Sequence, residues 1–325
     1  MYRLKKFLAA FSALVLILLG AAPAVAQQDK PGSGLSISPT LSELTLKPGQ
    51  ANALDITLKN ITSNKITAQA SIYDFESDGN TGSPKILGET KSDNPHSINK
   101  FVSGLEDVPL NVGEQKKVTL TMQAPSDVVP GAYYGIIRYK AIPTGENAPA
   151  PGEVSLSASV GTIVLISVPG NVKEQVQLTG LHVYKGDSDG TLFFDKPNKV
   201  GVEIKNLGNG FVKPFGAVEV RDMTGKKIYT YQLNNSNPRA TILPGSSRIF
   251  QDALKNVSGP GRYTVTASVS YGSGSQVLTL KKTFWYIPLW LAGIIIGVLV
   301  LLIALAYLAY RRYRHDRKRA YRRRS

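Results

Sequence analysis

Few residues in this chain have the types and spacing that catalysis would require. Histidine, the usual acid–base residue near neutral pH, occurs only at His96, His182 and His315. His96 follows a proline in a polar segment and is predicted to be a solvated loop residue. His182 alternates with apolar neighbours and is predicted to face outward from a strand, and His315 lies in a basic segment. The sequence has no HExxH, GxSxG or phosphate-loop motif, so we predict no catalytic residues and no enzyme.

The strongest hint of a metal site is Asp187-Ser188-Asp189-Gly190, which resembles the start of a calcium loop. An EF-hand loop needs a glutamate at its twelfth position, where this chain has Asn198. A hairpin turn explains these residues better, as it does the segment 76–80. The chain contains no cysteine, which excludes thiolate metal sites, and we predict no metal and no cofactor. Two carboxylates brought ~5–9 Å apart by folding remain the one enzymatic alternative.

The strong positive charge of the chain does not indicate a nucleic-acid partner. The formal net charge is +15, but the segment 311–325 alone carries nine Arg and Lys against one Asp. The leader is basic as well, which leaves an ordinary surface charge on the residues between. A basic cluster beside an apolar segment is a topology signal of membrane proteins, and it attracts anionic headgroups. We predict contact with membrane lipid and none with nucleic acid.

A C-terminal apolar segment, 285–310, is predicted to be a transmembrane helix. Its uncharged core, Ile287–Tyr310, is 24 residues long, or ~36 Å as a helix, which exceeds the ~30 Å of a bilayer core. Aromatic residues cluster at both ends, as is typical of membrane interfaces. The basic tail 311–325 is predicted to be cytoplasmic. Gly293 and Gly297 form a GxxxG pair that packs two helices or, in the simpler interpretation, faces lipid.

The segment 1–26 is predicted to be a signal peptide, followed by a linker over 27–34. Basic residues precede the apolar run Phe7–Gly20, and Ala24-Val25-Ala26 forms a small-x-small cleavage site. An uncleaved signal anchor, with both termini inside the cell, is the alternative. With a cleaved leader, the chain crosses the cell membrane once and most of it lies outside.

The residues between leader and anchor are predicted to be nearly all strand. Apolar and polar residues alternate in segments such as Leu54–Lys59 and Val200–Lys205, and turn-forming residues interrupt them at the intervals of a sandwich. The predicted fold class is all-β, with two tandem Ig-like β-sandwiches, 35–169 and 170–284, before the C-terminal transmembrane helix. The apolar run Gly161–Val168 is predicted to be the last strand of the first sandwich, buried on both faces.

Three landmarks recur in the same order in both halves and support a duplicated sandwich. They are strand ends at Asn60 and Asn206, polar turns that lead into strands at 112–118 and 243–249, and Pro-Gly turns at 130–131 and 260–261.

Short motifs of the first half suggest a family. They are Leu35–Pro39, Leu46–Gln50, Leu58–Asn60, Val112–Leu120 and Pro130–Ala132. With the order of leader, two sandwiches, single span and basic tail, the chain resembles the WxL-interacting proteins of Gram-positive bacteria, which carry DUF916- and DUF3324-type domains. The resemblance implies a surface protein that binds peptidoglycan and holds WxL-domain partners. It transfers no site residues.

The opening of the chain also resembles PapD-like chaperones, which hold a subunit's C-terminus with basic residues in a cleft between two Ig-like domains. No Arg/Lys pair in this sequence can be assigned to such a cleft. We therefore predict a non-catalytic, membrane-anchored cell-surface protein that binds a cell-wall polymer or a surface protein through its Ig-like domains. A structural spacer or assembly scaffold, and a PapD-like chaperone-type subunit binder, are the alternatives.

Two modes of binding fit that function. One is strand addition at an exposed sheet edge, and the other is contact through loops at one end of a sandwich. The candidate loops are Asp74–Pro95 and Ala141–Glu153, which are polar or rich in Pro and Gly.

Overall fold

The computed structural model describes residues 34–89, 94–144, 158–272 and 276–322. The predicted signal peptide and almost all of the linker lie outside the described residues, as do residues 90–93 of the first predicted loop, residues 145–153 of the second, and the side chains of the tail from 313 onward. The described residues form strands and short turns, followed by one long helix.

The first ten strands form two sheets that enclose one core. In chain order they are β1 (Leu35–Ser38), β2 (Leu41–Thr45), β3 (Ala51–Asn60), β4 (Ile66–Ser77), β5 (Pro84–Glu89), β6 (Val102–Ser103), β7 (Val108–Leu110), β8 (Gln115–Gln123), β9 (Gly131–Pro143) and β10 (Ser159–Val168). One sheet has the order β1-β3-β8-β6, and the other has the order β2-β10-β9-β4-β5 with β7 beside β4. Strands β2 and β10 run parallel.

The remaining nine strands form a second pair of sheets. They are β11 (Val176–Lys185), β12 (Ser188–Asp189), β13 (Leu192–Phe193), β14 (Lys199–Asn206), β15 (Phe215–Arg221), β16 (Lys227–Leu233), β17 (Ser247–Ala253), β18 (Gly261–Ser270) and β19 (Val277–Tyr286). The sheet orders are β12-β11-β14-β17 and β13-β19-β18-β15-β16, and β13 and β19 run parallel. The predicted fold class, two Ig-like sandwiches and a C-terminal apolar helix, is confirmed.

Alternating residues build each core, as the sequence pattern predicts. In β3, Leu54, Ile56 and Leu58 are buried, and they belong to one cluster with Val164 and Ile166 of β10. Each buried aliphatic side chain contributes ~1.5–3 kcal/mol. These inward residues therefore stabilise the sandwich more than any turn between its strands does.

A buried asparagine closes the same corner of each sandwich. Asn60 ends β3, Asn206 ends β14, and both are fully buried. In each case the side-chain amide donates to the carbonyl four residues further on at 2.8 Å, and Oδ1 accepts the N–H two residues further on at 2.9 Å. The amide also donates to Asn111 O at 3.0 Å in the first sandwich and to Ile242 O at 3.1 Å in the second. The two sandwiches therefore share the same hydrogen-bonded turn after the strand that ends in asparagine.

Both predicted surface loops were wrong in part. Within Asp74–Pro95, β4 continues to Ser77 and pairs with β5, so the segment is mainly a β-hairpin. Within Ala141–Glu153, β9 continues to Pro143 because its last residues still pair with β4. Pro84, Gly88 and Pro143 lie within strands, so a composition rich in Pro and Gly did not mark the ends of these strands.

The C-terminal helix α1 spans Leu289–Arg322. Its first 24 residues, Leu289–Arg312, are long and apolar enough to cross a membrane, and none of the apolar stretch is buried within the protein. The predicted start at Trp285 was wrong, because Trp285 and Tyr286 still belong to β19. On this helix, the surroundings of Gly293 and Gly297 are open, and helix pairing there stays a prediction.

Candidate functional site

A hydrophobic cluster joins the two sandwiches. Leu165 of β10 and Tyr134 of β9 point away from the first core and pack with Leu243 of the second sandwich. The rings of Tyr134 and Phe211 have centroids 6.2 Å apart. The apolar run Gly161–Val168 was predicted to be buried on both faces, and β10 shows why. One face of the strand covers the first core, and the other face contacts the second sandwich.

Polar contacts flank this cluster. The N–H of Ala132 donates to Asn209 O at 2.9 Å, and Asn209 Nδ2 donates to Pro130 O at 3.2 Å. On the other side, Lys213 Nζ lies 2.5 Å from Glu43 Oε2. The two sandwiches are thus held by backbone, ionic and apolar contacts together.

The tip of the β4–β5 hairpin reaches the edge of β17. The N–H of Ile249 donates to Asn80 O at 2.7 Å. Asp78 shapes the tip, because its Oδ1 accepts the N–H groups of Asn80 and Gly82 at 3.0 and 2.7 Å. Its hydrogen bond with the Thr81 hydroxyl is the main cause that lowers the pKa of Asp78 to about 2. The hairpin predicted as a ligand-binding loop instead contacts the second sandwich.

An interdomain cleft of about 510 Å³ adjoins the hydrophobic cluster, since Leu165 and Phe211 belong to both. The cleft lies between β2 and β10 on one side and the second sandwich on the other. The guanidinium carbon of Arg239 lies 4.5 Å from the ring centroid of Phe215, and Arg239 forms no ion pair with any residue that the structure describes. Lys213 lines the same cleft. The structure thus corrects the expectation that no Arg/Lys pair can be assigned to a cleft. No sequence signal connects the two residues, because they precede different strands.

The second cavity, which we call the edge gap, lies between the edge strands β16 and β17 and measures about 590 Å³. Tyr231, Leu233 and Phe250 provide its apolar surface. The Tyr231 hydroxyl is buried and has no hydrogen-bond partner among the described residues, and this burial raises the pKa of Tyr231. A buried hydroxyl without a partner costs ~1–3 kcal/mol, and this one belongs to a residue that lines the edge gap.

The backbone of β17 borders the edge gap. Since the N–H of Ile249 donates to Asn80, it points away from the neighbouring strand β14. Alternate residues of an antiparallel strand point their backbone groups in the same direction, so the N–H and C=O of Gln251 also point outward. Unpaired edge groups of this kind are templates for another strand.

The first sandwich fills the equivalent space with its own chain. There β8 pairs with β3 as β17 pairs with β14, but β8 is also covered by β6, through Val102 opposite Met122. Ile98 and Phe101, which precede β6, are buried in the first core. In the second sandwich, the described segment 234–241 forms no strand between β16 and β17. Among the described residues, the edge gap borders an uncovered edge of β17 that corresponds to the edge of β8 covered by β6.

The histidines have different environments from one another. His96 is half-buried, which corrects the prediction of a solvated loop residue: its Nδ1 lies 2.8 Å from Ala132 O and its ring stacks on Tyr134 at 5.5 Å. His182 lies outside the core of its sheet, with Nδ1 2.8 Å from Asp189 Oδ2 and Nε2 3.5 Å from Glu203 Oε2. The side chain of His315 lies outside the described residues.

The acidic segment at 187–190 lies in a hairpin, but not in the one predicted between Val183–Tyr184 and Leu192–Phe194. β11 pairs with Ser188–Asp189 inside the segment, and β13 (Leu192–Phe193) pairs instead with β19 of the other sheet. The Asp189 carboxylate accepts from Val183 N and from Lys282 Nζ, besides its contact with His182. Lys199 pairs with Asp187 at 2.9 Å. Across the described part of the chain, no group of three or more His, Cys, Asp or Glu side chains could hold a metal ion.

Comparison with known proteins gives structural similarity only. No family model matches the chain, and no curated protein matches it. The class 5 fimbriae chaperone CfaA has a TM-score of 0.40 at 12% identity over 78% of this chain and 100% of that one. The CsuC–CsuE chaperone–tip subunit complex from Csu pili of Acinetobacter baumannii has 0.36 at 12% identity over 76% and 97%. The CupB2 chaperone of Pseudomonas aeruginosa has 0.33 at 12% identity over 75% and 97%.

Proposed function

We propose that this protein is a non-catalytic, single-pass surface protein whose second sandwich binds an extended segment of a partner surface protein at the edge gap. The observation that carries the proposal is the pair of edge strands β16 and β17 around an open gap that the first sandwich fills with β6. Strand addition to a free edge is a common mode of peptide recognition, because main-chain hydrogen bonds give affinity and pockets for alternate side chains give specificity.

The geometry of the edge gap defines where an added strand would lie and which side chains it would contact. Asn80 already occupies the β17 edge at Ile249, so an added strand would lie beside Gln251 and beyond. Its inward side chains would contact Phe250 and the hydroxyl of Tyr231, as Ile98 and Phe101 fill the first sandwich. The preferred segment is therefore extended, with an apolar residue at every second position and a hydrogen-bond acceptor within reach of Tyr231.

Membrane anchoring is the second part of the proposal. It rests on α1, which is apolar from Leu289, and on the basic tail that follows it. By the positive-inside rule the tail lies in the cytoplasm and both sandwiches lie outside. Because the chain has no cysteine, single-cysteine variants test this topology. An impermeant maleimide added to intact cells should label Val112→Cys but not Ser325→Cys, and the reverse pattern would overturn it.

The partner class follows from the mode of binding. A sheet edge recognises a polypeptide, so we propose a surface protein as the ligand and not the peptidoglycan polymer. This agrees with what the resemblance to WxL-interacting proteins implies for their partners. It also matches the PapD-like alternative, since a subunit binder likewise holds an extended segment.

The test compares Gln251→Pro with Gln251→Ala in the full-length protein. Proline removes the outward N–H without removing a hydrogen bond to β14, and edge strands tolerate it. On cell walls isolated from the source cells, we expect retention of the wild type and of Gln251→Ala and loss of Gln251→Pro. Walls treated with protease should retain none of the three.

Three results would contradict the proposal. Equal retention of Gln251→Pro would exclude the β17 edge, provided that hydrogen exchange shows β14 still protected. Full retention on protease-treated walls would identify a polymer as the ligand. Wild-type retention no greater than that of a heat-unfolded sample would remove the binding function itself.

A further inference from the structure

The end of the second sandwich next to α1 is unusually apolar. Leu192, Phe194 and Trp285 are each about half exposed, at 51%, 47% and 48%. Leu192 of β13 lies directly opposite Trp285 of β19, and Arg262 of β18 lies opposite Trp285 on the other side. Paired residues of neighbouring strands point to the same face, so Leu192, Trp285 and Arg262 form one row across three strands.

The neighbouring loops add to this surface. Met223 is 65% exposed at the tip of the β15–β16 turn, a place where polar residues are usual. Met223 lies at the same end of the sandwich as Trp285. Its sulfur is 2.9 Å from the position that a Cβ on Gly261 would take, and Gly261 pairs with Tyr286 at the end of β19. We call Leu192, Phe194, Met223, Trp285 and Arg262 the basal patch.

The joint between sandwich and helix is short and fixed. Only Ile287 and Pro288 separate β19 from α1, so the Cα atoms of Tyr286 and Leu289 are three residue steps apart and at most ~11 Å from each other. Ile287 N–H donates to Phe193 O at 2.8 Å, and Pro288 is buried. The joint is therefore tied to β13, and the basal patch cannot move far from the first turn of α1.

We propose that the basal patch rests in the headgroup layer of the membrane that α1 crosses, as a second lipid contact beside the helix. This inference rests on the proposed membrane anchoring. If the apolar helix enters the bilayer core at Leu289, Trp285 lies only four residues before that point, next to the interfacial layer, which is ~5–7 Å thick on each side.

The chemistry of the patch fits that layer. Tryptophan and other amphipathic aromatics favour the interface, and a guanidinium binds phosphate oxygens in a bidentate manner. Arg262 forms no ion pair with any described residue, so it is available to a lipid phosphate. The exposed apolar side chains would leave water on contact with the upper acyl chains.

Single-cysteine variants of the full chain in lipid nanodiscs test the proposal, with an environment-sensitive fluorophore as label. Phe194→Cys reports on the patch, and Ile86→Cys, exposed to a similar extent at 49% on the first sandwich, is the matched control. We expect a lipid with a quencher on its headgroup to quench the Phe194→Cys label several-fold more than the Ile86→Cys label. Equal quenching would overturn the proposal.

A third label separates this inference from the anchoring on which it rests. Ile296→Cys lies in α1 and should be quenched by lipids brominated on the acyl chain. If it is quenched while Phe194→Cys is not, the helix spans the membrane and the basal patch stands clear of it. If Ile296→Cys is not quenched, the anchoring fails. Adding Arg262→Glu to Phe194→Cys should reduce headgroup quenching in anionic nanodiscs, and unchanged quenching would exclude the phosphate contact.

Discussion

The two sandwiches share a plan but differ at one edge. Each has a parallel strand added to its larger sheet, β2 beside β10 and β13 beside β19, and each closes a corner with a buried asparagine. The first sandwich covers the edge of its smaller sheet with β6 and fills the space beneath with Ile98 and Phe101. The second has no described segment there, and a cavity lies in its place. The two sandwiches thus differ at one sheet edge, and the proposed binding site lies at the edge that β6 covers in the first sandwich but that no described strand covers in the second.

This difference also separates the roles of the two copies. The first sandwich satisfies its own edge and sends its β4–β5 hairpin to the second, where Asn80 occupies part of the β17 edge. The second sandwich leaves the rest of that edge free and continues directly into the helix. Under the proposed function, the first sandwich would position the second, and the second would bind the partner.

The largest expected effect comes from the segment that fills the first sandwich. Phe101→Ala should lower the free energy of unfolding of that sandwich by ~3–5 kcal/mol, because Phe101 is buried between its sheets. Hydrogen exchange on the full chain reads the two sandwiches separately. Val112→Ala, at a 59% exposed position of the same sandwich, is the control. A loss as small as that of the control would mean that this segment does not support the core.

Substitution of the two buried asparagines tests whether Asn60 and Asn206 have the same structural role in the two sandwiches. Asn60→Ala and Asn206→Ala should each destabilise their own sandwich by on the order of 3 kcal/mol, because each leaves buried backbone groups without partners. The protection of β3 amides and of β14 amides measures the two effects. A clearly smaller loss at one site would show that the corners are not equivalent.

The free energy of unfolding of the first sandwich should fall at alkaline pH in the wild type but not in Tyr139→Phe. Burial is the main cause that raises the pKa of Tyr139 to about 12, above the ~10 of an unfolded chain. The first sandwich thus keeps its full stability below pH ~10 and loses ~3 kcal/mol in total as the pH rises through about 12. Tyr139→Phe should remove this loss from the first sandwich. An unchanged alkaline decline, with tyrosinate absorbance as the monitor, would contradict it.

The smallest expected effect concerns the ion pair between the sandwiches. Glu43 and Lys213 each expose more than a third of the side chain, so their pairing should contribute only ~0.2–1 kcal/mol. A double-mutant cycle with Glu43→Gln and Lys213→Met measures it, and high salt should reduce it. A coupling well above this range would make the ion pair, and not the apolar cluster, the main contact between sandwiches.

Much of the fold could be predicted because its signals are local. Alternation in Leu54–Lys59 predicts a half-buried strand, and the uncharged length of the C-terminal segment predicts its helix. The candidate site could not be predicted. Tyr231 and Phe250 lie on strands with ordinary alternation of apolar and polar residues, and the edge gap is present because no described strand covers the outer edge of β17. A pattern of residues does not show which sheet edge lacks a neighbour, and Arg239 and Lys213 meet in a cleft through docking alone.

The direction of β19 has a mechanical consequence. This strand runs straight towards α1, and its ten residues pair along their full length with β18. A partner held at the edge gap and pulled away from the membrane would apply a shear force to the hydrogen bonds between β18 and β19. In shear, many of these bonds must break together, whereas unzipping would break them one at a time. Under the proposed anchoring and partner binding, the order of the last strand and the helix would let the second sandwich bear tension between the membrane and its partner.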